Sequence, residues 1–549
     1  MKKILIVLTG FLFSGSLVAA PMPDNVYFRA MNDEMQRSLK ELRLKNQPNP
    51  YLISYWISRK YMLEISADMG SLVRQYNDPL DDGYIQVQAF VSVGSDQQDG
   101  LGFMADDRGY YYYRQPKLPS QREVPFSYDS LRQTLWEVTD QAYLQAVDLY
   151  KQKQNYKKKK NIQDKLPDVV PAKPAQFVEP IAPFKQPDME QLSRQVKEIS
   201  ALGKKHPHLE YFEVSLRLSQ EDRYSLNSRG SFVQYSQPRK KLAFNAGFRR
   251  PDGQMVETYQ RFDLRDISTA EMDRIKQEAE KFLEKVDHSR EAKPGEAYVG
   301  PILLKPQAAS YFLMSSLLKD LQNSKPFLLS FADDDDEAGK LYKKRQLRAG
   351  TDLITVYDLP QKREFDGFVL ERFLPVDGEG VAAKDLTLLQ DGYVKEFPLT
   401  QRPLTKNHHS NGHALINNMY GPREKLTNVF VETKKPLTDQ EMEDKLRARC
   451  RELGLAYGYI LEQAFDSDMG IERIYTEDGR KERVIDLRWE DIPTARDLRA
   501  VLAVGGKREL QQGTLEGPAI VTPSILLQEA ELVPVEHKPH RQPFVPRPK

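Results

Sequence analysis

The segment DGEGVAAKDLTLLQDGYVKEF, residues 377–397, combines an acidic corner with a hairpin. DLTLL and YVKEF each alternate between apolar and polar residues, and Asp391-Gly392 lies between them. An Asp-Gly pair suits a type I′ turn, whose positive φ values fit the right-handed twist of the flanking strands. The sequence therefore predicts a β-hairpin. The DGEG corner at residues 377–380 predicts either a sharp bend with solvated carboxylates or the edge of a binding site.

The composition is that of a globular protein without a nucleic-acid partner. The chain has 549 residues, 40% hydrophobic and 29% charged, with 80 basic against 79 acidic side chains. This length allows roughly two to four hydrophobic cores. A balanced charge lacks the basic face of nucleic-acid-binding domains. The lysine run at residues 157–160 follows a polar helix, and we interpret it as a solvated linker rather than a nucleic-acid-binding patch. Beyond the N-terminus, no apolar run is long enough to predict stable membrane insertion.

The N-terminus predicts export. Lys2 and Lys3 precede ILIVLTGFLFSGSLVAA, a short apolar segment that ends in small residues. This pattern is typical of a signal peptide, which we place at residues 1–20. Cys450 is the only cysteine, so no intramolecular disulfide can form. We therefore expect a periplasmic or secreted bacterial protein.

The N-terminal half predicts two copies of one helix-plus-hairpin unit. The spacing from Tyr51 to Gly70 equals that from Tyr211 to Gly230, and each unit follows a helical segment. We assign residues 21–165 to the first unit with a long amphipathic helix, and residues 188–292 to the second. The six prolines of residues 166–187 predict an extended linker between them.

The C-terminal half predicts an α+β domain dominated by strands, at residues 293–533. Strand signals recur through it, and we expect a large antiparallel or mixed sheet. Thr438 and Glu441 form the pattern of a capping box, with Gly454 at the helix end. Residues 534–549 form a proline-rich tail.

Several segments in this order resemble the TldD/PmbA family. They are YVGPILLKPQAASYFL, the hairpin segment, SNGH and KLTNVFVE in the C-terminal half, with SLRQTLWEVTDQAY and NSRGSFV in the N-terminal half. These proteins, also called modulators of DNA gyrase, are regarded as zinc-dependent peptidases. The resemblance covers nearly the whole mature chain and implies the fold of that family. In it, the acidic corner and hairpin belong to the sheet that forms the wall of a peptide-binding groove.

The zinc motif of the catalytic family members is absent from the matching helix. In those members an HExxxH motif binds zinc through two histidines, and its glutamate activates the metal-bound water. Here the helix reads QAASYFLMSSLLKDL, without histidine, glutamate or cysteine. The family's third ligand, a cysteine near the C-terminus, has no counterpart, since Cys450 lies on another element. We therefore predict no cofactor, although the active members use zinc.

The segment NHHSNGH, residues 407–413, brings three of the eight histidines together. We interpret it as a structural or substrate-contacting loop, because Asn411-Gly412 predicts a turn. A metal site that includes His409 and His413, with Cys450 or a distant carboxylate, is the alternative. Together with the acidic corner, it supplies the candidate peptide-binding residues: Asp377, Glu379, Ser410, Asn411 and His413.

The resemblance implies a metallopeptidase-like protein that is inactive alone. The family includes a subunit without HExxxH, PmbA (also called TldE), which assembles with the zinc-bearing TldD. We therefore expect a non-catalytic subunit that binds unfolded peptide, as a homo-oligomer or with an HExxxH-bearing partner. An active hydrolase with a relocated site, and a stand-alone peptide-binding or structural protein, are the alternatives. Gyrase modulation is disfavoured, because export and balanced charge separate the chain from DNA.

Overall fold

The computed structural model describes residues 21–77, 84–100, 103, 122–123, 127–250, 253–322, 328–329, 348–417, 421–463, 470–513 and 517–535. The expected signal peptide, at residues 1–20, lies outside these ranges, as does the tail beyond residue 535. No helix of the described residues is long and apolar enough to cross a membrane.

The helices flank two large sheets. They are α1 (Val26–Glu41), α2 (Tyr128–Lys160), α3 (Met189–Ser200), α4 (Thr269–Glu291), α5 (Pro306–Leu313), α6 (Lys319–Leu321) and α7 (Asp439–Glu452). A π-helical stretch, Met314–Leu318, joins α5 to α6, and 3-10 helices occur at Ala201–Lys205 and Asp497–Ala500.

The N-terminal sheet has eight strands among the described residues. They are β1 (Pro50–Asp68), β2 (Ser71–Asn77), β3 (Tyr84–Val93), β4 (Arg122–Glu123), β5 (Gln176–Val178), β6 (Leu209–Asn227), β7 (Phe232–Arg249) and β8 (Met255–Asp263). The order is β4-β3-β1-β6-β7-β5, with β2 on β1 and β8 on β7. The long strands of the two predicted units, β1 and β6, pair antiparallel, so both units build one sheet.

All four N-terminal helices cover one face of this sheet. The buried residues of β1 that contact them share odd numbers, Ile53 to Ile57 at one end and Leu63 to Ala67 at the other. Because side chains alternate along a strand, α1 and α2 pack on one end of the same face on which α3 and α4 pack at the other. The opposite face of β7 contacts the C-terminal domain through Val233 and Tyr235.

The C-terminal sheet is mixed and has 13 strands among the described residues. They are β9 (Lys293–Pro294), β10 (Tyr298–Leu304), β11 (Ile354–Asp358), β14 (Leu386–Gln390), β15 (Tyr393–Val394), β18 (Asn428–Thr433), β19 (Pro436–Leu437), β20 (Tyr457–Leu461), β21 (Ile471–Tyr475), β22 (Lys481–Ile485), β23 (Leu487–Trp489), β24 (Val501–Gln511) and β25 (Ala519–Pro534). Two small hairpins lie outside it, β12 (Glu364–Phe365) with β13 (Phe368–Val369), and β16 (Ala414–Asn417) with β17 (Gly421–Glu424). The predicted α+β class with a large mixed sheet is confirmed.

Local sequence signals locate several elements accurately. Asp391 and Gly392 have φ values of 53° and 80° between β14 and β15, as the Asp-Gly turn requires. Thr438 and Glu441 form the predicted capping box of α7. The lysine run is the exception. Lys157 is buried, and its Nζ lies 2.7 Å from Asp164 Oδ1 and 3.8 Å from Asp168 Oδ2, because the chain folds back against α2 after the helix ends.

Candidate functional site

A cleft of about 1320 Å³ separates the N-terminal sheet from the C-terminal domain. Strand β8 and helix α4 line one side, and α5 and β24 line the other. Among the described strands, β8 pairs only with β7, and residues 508–511 of β24 pair only with β25. The cleft is therefore bordered by two strands that each have an open edge.

Helix α5 presents one polar stripe to the cleft. It begins directly after β10, with Lys305 as N-cap and Pro306 in its first turn, where proline needs no hydrogen-bond partner. Its cleft-lining residues recur at helical spacing, and they are Gln307, Ser310, Tyr311 and Met314. The opposite face is buried in the core of the C-terminal domain.

A zinc centre does not fit this stripe. An amide, a hydroxyl, a phenol and a thioether replace the imidazole, carboxylate and thiolate groups that hold zinc. Of the described residues that line the cleft, none is histidine or cysteine. Within the same described ranges, no three His, Cys, Asp or Glu side chains form a group that could hold a metal.

Cys450 cannot supply a ligand from its position on α7. Its side chain is fully buried, and burial raises the pKa of the thiol. The sulfur lies against β20, where a Cβ on Gly458 would come within 2.7 Å of it. It therefore acts as a packing residue, since reactive or metal-binding thiols need a group that ionises readily.

The acidic corner lies away from the cleft and is held by its own backbone. Asp377 is 4% exposed, and its carboxylate accepts hydrogen bonds from the amides of Glu379 (2.9 Å), Val381 (2.9 Å) and Ala414 (3.0 Å). Burial raises the pKa of Asp377 to about 6, although these bonds favour its ionised form. The carboxylate thus fixes the bend and the start of β16.

Glu379 completes the corner with a second enclosed carboxyl. Its Oε2 accepts a hydrogen bond of 2.6 Å from the amide of Gln401. Burial, and next the neighbouring Asp377, raise its pKa to about 8. Because two close carboxyls resist double ionisation, the pair favours the protonated form of Glu379.

The backbone of this corner joins the two domains. Ser231 Oγ donates to the carbonyl of Gly380 at 2.7 Å, and the amide of Ala175 donates to the same oxygen at 3.1 Å. Gly380 has a φ of 81°, and a Cβ there would lie 2.4 Å from Asn227 Nδ2. Only glycine suits this conformation and this approach. We call the corner and these N-terminal partners the junction.

The side chains of the histidine loop, residues 407–413, hydrogen-bond to backbone carbonyls of the chain just before it. Ser410 Oγ donates to the carbonyl of Leu399 at 3.1 Å, and Asn411 Nδ2 donates to that of Phe397 at 2.8 Å. His408 is buried, with Nε2 2.6 Å from the carbonyl of Thr400. The loop is thereby fixed beside the β14–β15 hairpin.

The two histidines of the alternative metal site occupy different environments. His409 is exposed, whereas His413 is completely buried. His413 Nδ1 lies 3.0 Å from Asn411 Oδ1, and its Nε2 lies 3.5 Å from Asp358 Oδ2. None of the five candidate peptide-binding residues lines the cleft, so their contact with peptide stays a prediction.

Sequence reasoning missed the cleft residues of β8. Tyr259 is 58% exposed at this surface, and Arg261 lies beside it with its guanidinium 5.2 Å from the ring centroid. The alternation of VETYQRF at residues 256–262 was the available signal. That signal identifies a strand, but it does not tell which domain the strand faces.

The C-terminal half matches a known family. Residues 299–532 match the family model described as the PmbA/TldA metallopeptidase C-terminal domain. This C-terminal domain belongs to the TldD/PmbA family. The resemblance inferred from the sequence is thus confirmed, and it places the fold among metallopeptidase-like proteins.

Solved structures of TldD/PmbA type share the fold over most of the chain. TldE from Thermococcus kodakarensis has a TM-score of 0.63 at 15% identity, and the match covers 92% of this chain and 100% of TldE. A protein from Thermotoga maritima described as a modulator of a DNA gyrase has a TM-score of 0.57 at 12% identity, with 92% and 100% covered. One from Bacteroides thetaiotaomicron described in the same way has 0.56 at 13%, with 92% and 99% covered. A search of curated proteins finds no match.

Proposed function

We propose that this chain is a non-catalytic, peptide-binding component of a peptidase system in the bacterial envelope. The observation that carries the proposal is the face of α5 that lines the cleft. The family's catalytic members bear HExxxH on this helix, whereas Gln307, Ser310, Tyr311 and Met314 occupy the cleft-facing positions here. The fold is retained, and these four cleft-facing side chains of α5 include no group that would hold zinc or activate water.

The cleft offers open strand edges at which an unfolded peptide can bind through its main chain. An extended peptide adds to an open strand edge through main-chain hydrogen bonds, and alternate side chains enter the flanking surface. The edges of β8 and of residues 508–511 both border the cleft. Tyr259 provides an exposed aromatic surface beside the first edge.

Two further parts of the proposal rest on sequence and family. The N-terminal segment supports an envelope location, which fractionation of the producing cell would test. Family membership supports assembly, either with itself or with an HExxxH-bearing TldD-like subunit. Co-expression of the two chains followed by size-exclusion chromatography should then give one complex, and two separate peaks would contradict a stable hetero-oligomer.

The first experiment combines zinc analysis with peptide binding on the mature, untagged protein purified without chelator. We expect no stoichiometric zinc, no cleavage of an unfolded fluorescent peptide, and measurable binding of that peptide by fluorescence anisotropy. Stoichiometric zinc that is lost on replacing His409 and His413, together with cleavage, would establish the active hydrolase instead.

A matched pair of tyrosines tests the location of binding. Tyr259→Ala removes an exposed cleft ring, and we expect roughly fivefold weaker peptide binding. Tyr393→Ala removes another exposed ring, which lies on β15 and does not line the cleft. Equal effects of the two substitutions would contradict binding in the cleft.

A further inference from the structure

The cleft carries an excess of positive charge that the whole chain does not have. Its lining includes ten lysine and arginine side chains against six aspartate and glutamate side chains. Over the whole sequence the numbers are 80 and 79. The basic residues of this chain are therefore concentrated at the cleft surface relative to the acidic ones.

Two of these cations pair with carboxylates that are less exposed than the cations themselves. Lys241 pairs with Glu371 at 2.6 Å, and the lysine is 26% exposed against 13% for the glutamate. Lys305 is 25% exposed, and Glu443, 3.9 Å away, is 14% exposed. Neither of these glutamates lines the cleft. At these two positions the cation is the member of the pair that faces the cleft, whereas Asp366, Asp439 and Glu509 line the cleft beside their own partners.

At one end of the cleft, the carboxylate of Glu462 contacts two cations. Glu462 Oε2 lies 2.9 Å from Lys285 Nζ and 3.9 Å from the guanidinium of Arg483. These two cations, together with Lys305, lower the pKa of Glu462 despite its burial. Arg483 also pairs with Glu472 at 3.4 Å, and Lys305 with Asp439 at 3.7 Å, so further carboxylates offset part of the positive charge here. The positive potential of the cleft rests on its excess of cationic over anionic lining residues.

The other end presents a cation without an acidic partner. Arg261 is exposed, stacks beside Tyr259 and donates to the carbonyl of Gly513 at 3.3 Å. Among the described residues, no carboxylate forms an ion pair with it. An arginine held beside an aromatic ring keeps donors available for a planar carboxylate.

We propose that the cleft selects extended peptide segments rich in aspartate and glutamate, bound between the Arg261 end and the Lys305 end. This inference rests on the proposed peptide-binding function and names the substrate class of the same site. The two cationic ends pair with acidic side chains of the peptide, while the open strand edges bind its main chain. Selection of this kind depends on ionic strength, since exposed charges are screened by salt.

The test compares peptides of about ten residues, each long enough to run as a strand, that share a scaffold and differ in Glu, Gln or Lys at alternate positions. By fluorescence anisotropy at about 50 mM salt, we expect the Glu peptide to bind about tenfold tighter than the Gln peptide, and the Lys peptide to bind most weakly. At about 500 mM salt the preference should fall to roughly twofold or less.

Variants locate the charges. Arg261→Gln and Lys305→Gln should each weaken binding of the Glu peptide roughly threefold and leave the affinity for the Gln peptide unchanged. Arg261→Lys should restore part of the loss. Lys159→Gln removes an exposed lysine of α2 outside the cleft, and it should not change the affinity for either peptide.

The outcomes separate this inference from the proposed function. Equal, salt-independent binding of the Glu and Gln peptides overturns acidic selection and leaves peptide binding intact. Binding of no peptide overturns both. Tighter binding of a single-stranded oligonucleotide than of the Glu peptide, lost in the same variants, would assign the cationic cleft to a different class of ligand and overturn the inference.

Discussion

The cleft and the junction both gather charged side chains, but they hold them in opposite ways. In the cleft, cations such as Arg261 face open space, and their energies depend on solvent and on whatever enters. At the junction, Asp377 and Glu379 are enclosed by backbone amides and by each other. Charges of the first kind suit recognition, because exposed pairs add little stability. Charges of the second kind determine shape, because enclosed groups are costly to leave without partners.

The comparison predicts that the largest loss of stability comes from Asp377→Ala. The substitution leaves three backbone amides without their acceptor in a buried bend, and we expect a loss of about 3–5 kcal/mol in the free energy of unfolding. Urea unfolding followed by tryptophan fluorescence measures it.

Two controls accompany that prediction. Asp377→Asn keeps an oxygen that can accept from the amides of Glu379 and Val381. It should lose about half as much free energy of unfolding as Asp377→Ala. Asp352→Ala, at an exposed position, should unfold like the wild type. If Asp377→Ala unfolds normally and weakens peptide binding instead, the corner is part of the peptide site.

A second, smaller loss is expected from Gly380→Ala. The alanine would need a strained positive φ and would place its Cβ against Asn227 and Ser231, so we expect about 2–3 kcal/mol. Gly454→Ala is the matched control, because it shares the positive φ but its Cβ meets nothing within 4 Å. That variant should lose only about 1 kcal/mol. Equal losses would mean that backbone strain alone, and not domain contact, fixes Gly380.

These junction contacts mark the limit of what the sequence could predict. Local signals located the β14–β15 turn and the capping box of α7, because a few neighbouring residues determine each of them. The DGEG corner was predicted as a bend or a site edge, but its partners Ala175 and Ser231 lie far away in sequence. Lys157 shows a related limit, since the local pattern did not indicate that the chain beyond α2 would bring Asp164 and Asp168 back to it.

The cleft was predictable only in part. The missing zinc motif is visible in the sequence, because it depends on residue types within one helix. The cationic surface is not visible, because it combines Arg261 from one domain with Lys305 and Arg483 from the other. Each of these residues looks like an ordinary surface charge in its own segment. The excess arises only when the domains pack together.

A pH titration sharpens the comparison through Glu379. Its folded-state pKa of about 8 lies above the ordinary value of 4.5, so the folded protein keeps a proton that the unfolded chain releases. This contribution to stability is complete below about pH 4.5 and is lost as the pH rises towards 8. Glu379→Gln cannot ionise, and we expect it to be more stable than wild type at pH 8 by on the order of 2 kcal/mol, with no gain near pH 5.

Glu452→Gln, at an exposed site, should follow the wild-type profile of stability against pH. A wild-type profile for Glu379→Gln would mean that the carboxyl ionises freely in the folded protein.

The smallest expected effect on stability, within about 0.5 kcal/mol, belongs to Arg261→Gln, and it completes the comparison. Among the described residues its guanidinium contacts an exposed ring and one carbonyl, so its removal leaves neither of these partners buried and unsatisfied. The same substitution should weaken binding of the acidic peptide, whereas Glu379→Gln should leave peptide affinity unchanged at pH 7. Urea unfolding and fluorescence anisotropy test whether the two regions have separate roles. If they do, Arg261→Gln changes peptide affinity and not stability, whereas Glu379→Gln changes the pH dependence of stability and not peptide affinity. A loss of stability in Arg261→Gln as large as that of Gly380→Ala would show that the cleft surface holds the domains together, and charge in the cleft would then no longer be free to select a ligand.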